Sequence, residues 1–192
     1  MIDLENIRQH TIPCPQSFSL FGSAKEFSEL PPTHQEQILF LDENADRYIT
    51  DFSQHVNLYT GMAWNPFEKG NFKQVDYFND FIHIPLVNPG LKKWLYRRGV
   101  PFKTWVFVIP NGIGPVVYTT WKMVVHYAAE LFCMTDVMVF DKTLNWCLFF
   151  FHEDEMWFGR DNVYDPAPAE KMMDELNERK RKFPLFRHPY MD

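Results

Sequence analysis

Residues 103–160 constrain the fold more than any other part of this 192-residue chain. Thr104, Trp105, Val106, Phe107 and Val108 have the β-branched and aromatic content of a buried strand. Residues 110–115 (Pro-Asn-Gly-Ile-Gly-Pro) form a turn, and 116–118 a short returning strand. Thr119 or Thr120 then caps a helix predicted to run to about Cys133, with Trp121, Val124, Val125, Ala128 and Leu131 or Phe132 inward. Strands over 135–141 and 145–152 are joined by Lys142-Thr143-Leu144, and a further strand over 155–158 follows an acidic turn and is ended by Gly159. Strands joined by such short turns pair antiparallel. The expected fold is therefore α+β: a mainly antiparallel sheet from the C-terminal half, packed against several helices.

The N-terminal third is read differently. Pro31-Pro32-Thr33 signals a helix start. Apolar residues then recur at Ile38, Leu41, Ala45, Tyr48, Ile49, Phe52 and Val56, in steps of three and four. That spacing predicts one amphipathic helix of roughly 20 residues, with Asp42 as the point where it could break. Residues 1–60 hold nine acids against three bases, which equals the whole net charge of −6, so the acidic excess belongs to this third. A surface of one sign attracts the opposite sign and repels polyanions. A basic protein is the expected partner, and nucleic acid and membrane are not.

Between these regions, 57–71 is a loop whose Tyr59, Met62, Trp64 and Phe67 are too apolar for a solvated linker. Residues 72–84 are ambiguous between helix and strand. A short helix over 91–98 turns Leu91, Trp94 and Leu95 inward and is capped by Gly99. Residues 168–183 form a helix with acids early and bases late. No linker divides the chain, so one domain over 1–192 is expected: a helical acidic region (1–60), an α/β core (72–160) and the C-terminal helix.

Candidate chemistry is sparse. His126 and Glu130 stand four apart on a helix and share a face, and with His152 or Asp136 they could ligate a metal. There is no HExxH and no second histidine at helical spacing, so no metal and no cofactor is expected. Cys133 falls at a helix C-terminus, where the dipole opposes a thiolate, and Cys147 within an apolar strand; both read as small core residues. With Cys14 they make an odd number without CxxC spacing, as expected of reduced thiols in a cytoplasmic protein. Asn111-Gly112-Ile113-Gly114 lacks both phosphate-loop patterns and reads as a turn, and the basic run 179–182 as a solvated helix end. Residues 1–5 show no secretory signal, and no apolar run reaches the ~18 residues of a membrane helix.

Residues 116–159, under a third of the chain, carry a resemblance. Thr119-Thr120-Trp121 opens a helix, Asp136 starts a strand, Asp141 precedes a turn, Trp146 lies in the next strand, and Phe158-Gly159 closes the segment. This pattern resembles small bacterial proteins that include immunity proteins against polymorphic or contact-dependent toxins. The resemblance implies a cytoplasmic α+β protein that binds a toxin domain and has no catalysis of its own. The expected binding residues are Asp42, Glu43, Asp46 and Asp51 on the acidic helix, with Glu153, Asp154, Glu155 and Trp157 on the hairpin: acids steer and aromatics anchor. The alternatives are a small-molecule or hydrolase-like pocket around His126, His152 and Glu130, and an oligomeric scaffold using the aromatic loop.

Overall fold

Strands that are apolar at both parities need cover on both faces. In the computed structural model the strand Trp146–Phe151 shows how that need is met. Trp146, Leu148 and Phe150 enter one core with Val106, Val108 and Trp121. Cys147 and Phe149 enter a second core, on the other face, with Ile49, Phe107 and Phe140. Each fully buried phenylalanine contributes about 1.5–3 kcal/mol of transfer free energy.

The structure describes residues 2–16, 24–56, 58, 65–68, 70–78, 89–111, 114–133, 135–153, 155–165 and 167–183. After a 3-10 turn at Ile7–Gln9 come β1 (Thr11–Ile12), α1 (Ala24–Glu29), α2 (Pro32–Gln35), β2 (Ile38–Leu41) and α3 (Glu43–His55). Then follow α4 (Asn65–Glu68), β3 (Phe72–Phe78), α5 (Pro89–Tyr96), β4 (Trp105–Pro110), β5 (Val117–Thr120), α6 (Trp121–His126) and α7 (Ala128–Leu131). The chain continues through β6 (Val137–Phe140), β7 (Trp146–Phe151), β8 (Glu155–Asn162) and α8 (Ala167–Lys182). Among the described residues the strands form one sheet in the order β1-β2-β5-β4-β6-β7-β8-β3, with every neighbouring pair antiparallel. The α+β expectation is met, with most of the sheet drawn from the C-terminal half. Buried residues of α3 and the first turn cover one face, and those of α5, α6 and α7 the other. No helix of the described residues is long and apolar enough to cross a membrane.

Three expected elements come out differently. The helix expected across 38–56 is a strand followed by a helix. Ile38, Phe40 and Leu41 are buried in β2, which pairs with β5. Asp42 then leaves the strand with extended geometry and caps α3, its carboxylate accepting from the Ala45 N–H at 2.8 Å. The helix expected to run to Cys133 is interrupted at Tyr127 (φ −99°, ψ 27°). There the Tyr127 ring is buried, with its hydroxyl 2.7 Å from His34 Nδ1. The last strand does not end at Gly159 but runs on to Asn162. Gly159 sits mid-strand because the Phe72 ring lies across it, where a Cβ would overlap ring atoms.

The β6–β7 turn is organised by Asp141, a buried acid. Its carboxylate accepts from the Thr143 N–H at 2.9 Å, the Thr143 hydroxyl and the Trp146 indole N–H at 3.0 Å. A buried carboxylate with three donors is satisfied, while the Asp141 carbonyl accepts from the N–H of Leu144, whose φ is 55°.

Candidate binding surface

The expected acidic residues divide by use. On α3, Asp42 is spent on the cap and also lies 3.5 Å from His10. Asp46, half-buried, reaches across to accept from the Val116 N–H at 2.6 Å. Burial pushes its carboxyl above the ordinary value, and Val116 pulls it back. Glu43 pairs with Arg47 at 3.2 Å, one turn on. Asp51 is exposed. Of the four, Glu43 and Asp51 face solvent, and the other two hold the fold.

The hairpin end is more open. Glu153 is exposed in the β7–β8 turn, and Asp154 lies outside the described residues. Glu155 starts β8 opposite Phe151. Trp157 is half-buried, with its ring 6.0 Å from Phe149 and 6.5 Å from Phe67. Phe67 is therefore packed down, while Tyr59, Met62 and Trp64 of the same loop lie outside the described residues.

Beside the hairpin stands β3, the last strand of the sheet among the described residues. Residues 73–77 are all exposed. Val75 (41%) and Tyr77 (45%) point to the same side, two residues apart. The Tyr77 ring lies 5.1 Å from that of Trp157, and the Glu155 carboxylate acts on its phenol. Partial desolvation and then that carboxylate push the phenol up. Asp76, on the other side, pairs with Arg98 and lies 3.5 Å from Arg160, tying the edge to the end of α5. The structure thus adds two residues, Val75 and Tyr77, that sequence reasoning missed. Their alternation within 73–77 was the available signal, obscured because no apolar face accompanies it.

The residues of the enzyme-like alternative have separate partners. His126 is exposed on α6, its ring 4.9 Å from His34. Burial, then the His34 and Lys92 charges, lower its pKa. His152 instead donates from Nδ1 to Asp136 at 2.7 Å, and its backbone N–H bonds the same oxygen at 3.0 Å. Asp136 lines a cleft of about 410 Å³ between α3 and the sheet, with Asp46, Thr50, Ser53, Asn111 and Phe149. Both carboxylates in this cleft accept backbone N–H groups from neighbouring segments. Among the described residues no group of three His, Cys, Asp or Glu could hold a metal. Cys147 is enclosed, and burial raises its thiol strongly. Cys133 departs from expectation: it is exposed, because α7 ends at Leu131 and releases it, and burial of its sulfur still raises the thiol. Neither is an activated nucleophile. No family model and no curated protein matches the sequence.

Proposed function

We propose that this chain acts by binding a basic protein partner, without catalysis, at the open end of its sheet. The observation that carries the reading is the exposed edge of β3, where Val75 and Tyr77 stand beside Trp157 with Glu153 and Glu155 around them. An exposed tyrosine in contact with a half-buried tryptophan, beside an exposed valine, supplies anchor area, and surrounding carboxylates steer a cation-rich surface. Among the described residues no strand pairs with the outer edge of β3, which offers main-chain groups to a partner segment. Glu43 and Asp51 on α3 extend the acidic character. The finer reading is an immunity protein that neutralises a cognate toxin domain in the cytoplasm. It rests on the pattern over 116–159, and a toxin gene directly upstream would support it.

The test is capture of partners by the tagged full chain from its native host, at low and moderate salt, beside the variant Tyr77→Ala/Glu153→Lys. Both positions are exposed, so the variant keeps its fold. One stoichiometric basic partner is expected, weakened by salt and by the variant. Removing an aromatic anchor costs more than ~1 kcal/mol of affinity. A partner indifferent to the variant would move the site elsewhere. Retention of a small molecule with no protein would overturn the reading and direct attention to the cleft at Asp136 and His152.

A further inference from the structure

The −6 of the N-terminal third leaves residues 61–192 neutral in sum, and that sum hides a segregated positive charge. Residues 81–129 contain Lys92, Lys93, Arg97, Arg98, Lys103 and Lys122 and no acid at all. Arg98 is engaged by Asp76 and by the Trp94 ring, 4.2 Å away. The other five bases are exposed, and none is ion-paired with a described residue.

The fold gathers these five around two exposed aromatic rings. Lys92 and Tyr96 lie one turn apart on α5, and Arg97, just past its end, donates its backbone N–H to the Lys93 carbonyl. Tyr96, 63% exposed, holds its ring 5.7 Å from that of Phe102, 45% exposed. The Phe102 carbonyl accepts from the Lys122 N–H at 3.1 Å, which joins the first turn of α6 to the same patch. Lys103 follows Phe102 directly. Lys92 and Lys122 also act together on His126, where burial and their charges disfavour protonation. Glu130 acts on the same ring in the opposite sense.

This patch lies on the α5–α6 side of the sheet, opposite α3. Charges on the two sides are separated by a sheet and two helical layers, more than the ~8 Å Debye length of physiological salt. The acids of α3 therefore do not cancel the patch, whereas Glu26 and Glu29 belong to α1, whose Phe27 packs into the same core as α5 and α6. Lysine is depleted from the cores of protein interfaces. Lysines surrounding paired exposed rings, on a stretch of chain without acids, match a partner with repeating negative charge and flat π faces. Such bases must be unpaired to stack on the rings.

We propose that the α5–α6 face binds single-stranded nucleic acid, with Lys92, Lys93, Arg97, Lys103 and Lys122 on phosphates and Tyr96 and Phe102 stacking bases. The test is fluorescence anisotropy of a labelled oligouridylate of about 15 nucleotides, long enough to cover a site of this size, with the full chain at low and physiological salt. Binding should weaken with salt at a log–log slope of roughly −2 to −3.5, the value for three to five phosphates neutralised on a single strand. Tyr96→Ala/Phe102→Ala should weaken it about tenfold or more at an unchanged melting temperature. Lys92→Glu/Lys122→Glu should abolish it.

Four results would overturn the proposal. They are absence of binding at low salt, duplex binding as tight as single-strand binding, and loss on reversing 179–182 instead of Lys92 and Lys122. The fourth is equal competition by polyglutamate of matched charge, which would make the partner an acidic protein.

Discussion

Asp42 and Asp46 stand one helical turn apart in an acidic run, yet neither is free to meet a partner. Asp42 caps its own helix, and Asp46 crosses to a backbone N–H seventy positions away. The sequence marks Asp42 as a break in the periodic run, and the structure makes that break a cap. The crossing was not, because nothing in 42–56 refers to Val116. Its consequence can be measured. Burial raises the Asp46 carboxyl above 3.8, so the folded state holds that proton more tightly than the unfolded state. The stabilisation from this group is complete below 3.8 and is lost as pH rises through the raised value. Asp46→Asn keeps an acceptor for Val116 and removes the charge. Its stability at pH 7 should equal or exceed that of the parent, with a flatter dependence on pH just above 3.8. Asp46→Ala should instead cost about 1–3 kcal/mol at pH 7, because the Val116 N–H loses its partner. Urea unfolding at pH 4 and pH 7 compares the three proteins, and equal stabilities for Asn and Ala would dismiss the bond.

Elements were legible where one signal dominated. Continuous apolar runs marked β4, β6 and β7, and the turn at 142–144 marked their hairpin. Two signals conflicted at 38–41: helical spacing with the residues beyond, and a short apolar run buried on both faces. Pairing with β5 decided for the strand. At β8, glycine read locally as a terminator, whereas the ring of Phe72 from the neighbouring strand gives it another purpose. Gly159→Ala should therefore destabilise the protein by about 1–3 kcal/mol, the usual cost of overpacking. Replacing Phe72 by Leu in that background should recover part of the loss, since residues in contact couple. Thermal unfolding of the two single variants and the double variant gives the coupling, and additivity would show that the ring and the glycine act separately.

Across the whole molecule, one sheet separates two kinds of surface. The acids of α3 lie on one face and the basic-aromatic patch of α5 and α6 on the other, with the β3 edge joined to the latter through Asp76 and Phe78. Binding at the two sites should be independent. Tyr77→Ala/Glu153→Lys should leave oligouridylate affinity within about twofold, and Lys92→Glu/Lys122→Glu should leave protein capture unchanged, because the two sets of residues share no partner. Running both assays on both variants tests this. A crossed effect would mean that a single surface serves both ligands.

The sequence by itself determined that the chain is α+β, that its C-terminal half builds an antiparallel hairpin sheet, and that acids concentrate in the first sixty residues. These are local properties: periodicity, turn chemistry and composition act over a few residues at a time. Only the tertiary structure decided that β1 and β2 join one edge of that sheet and β3 the other. It also decided that Asp46 turns inward, that Tyr77 meets Trp157, and that bases spread over thirty residues share one face. Each of these depends on pairing between segments far apart in the chain, and such contacts are selected by the packing of two cores at once rather than by any neighbouring residue.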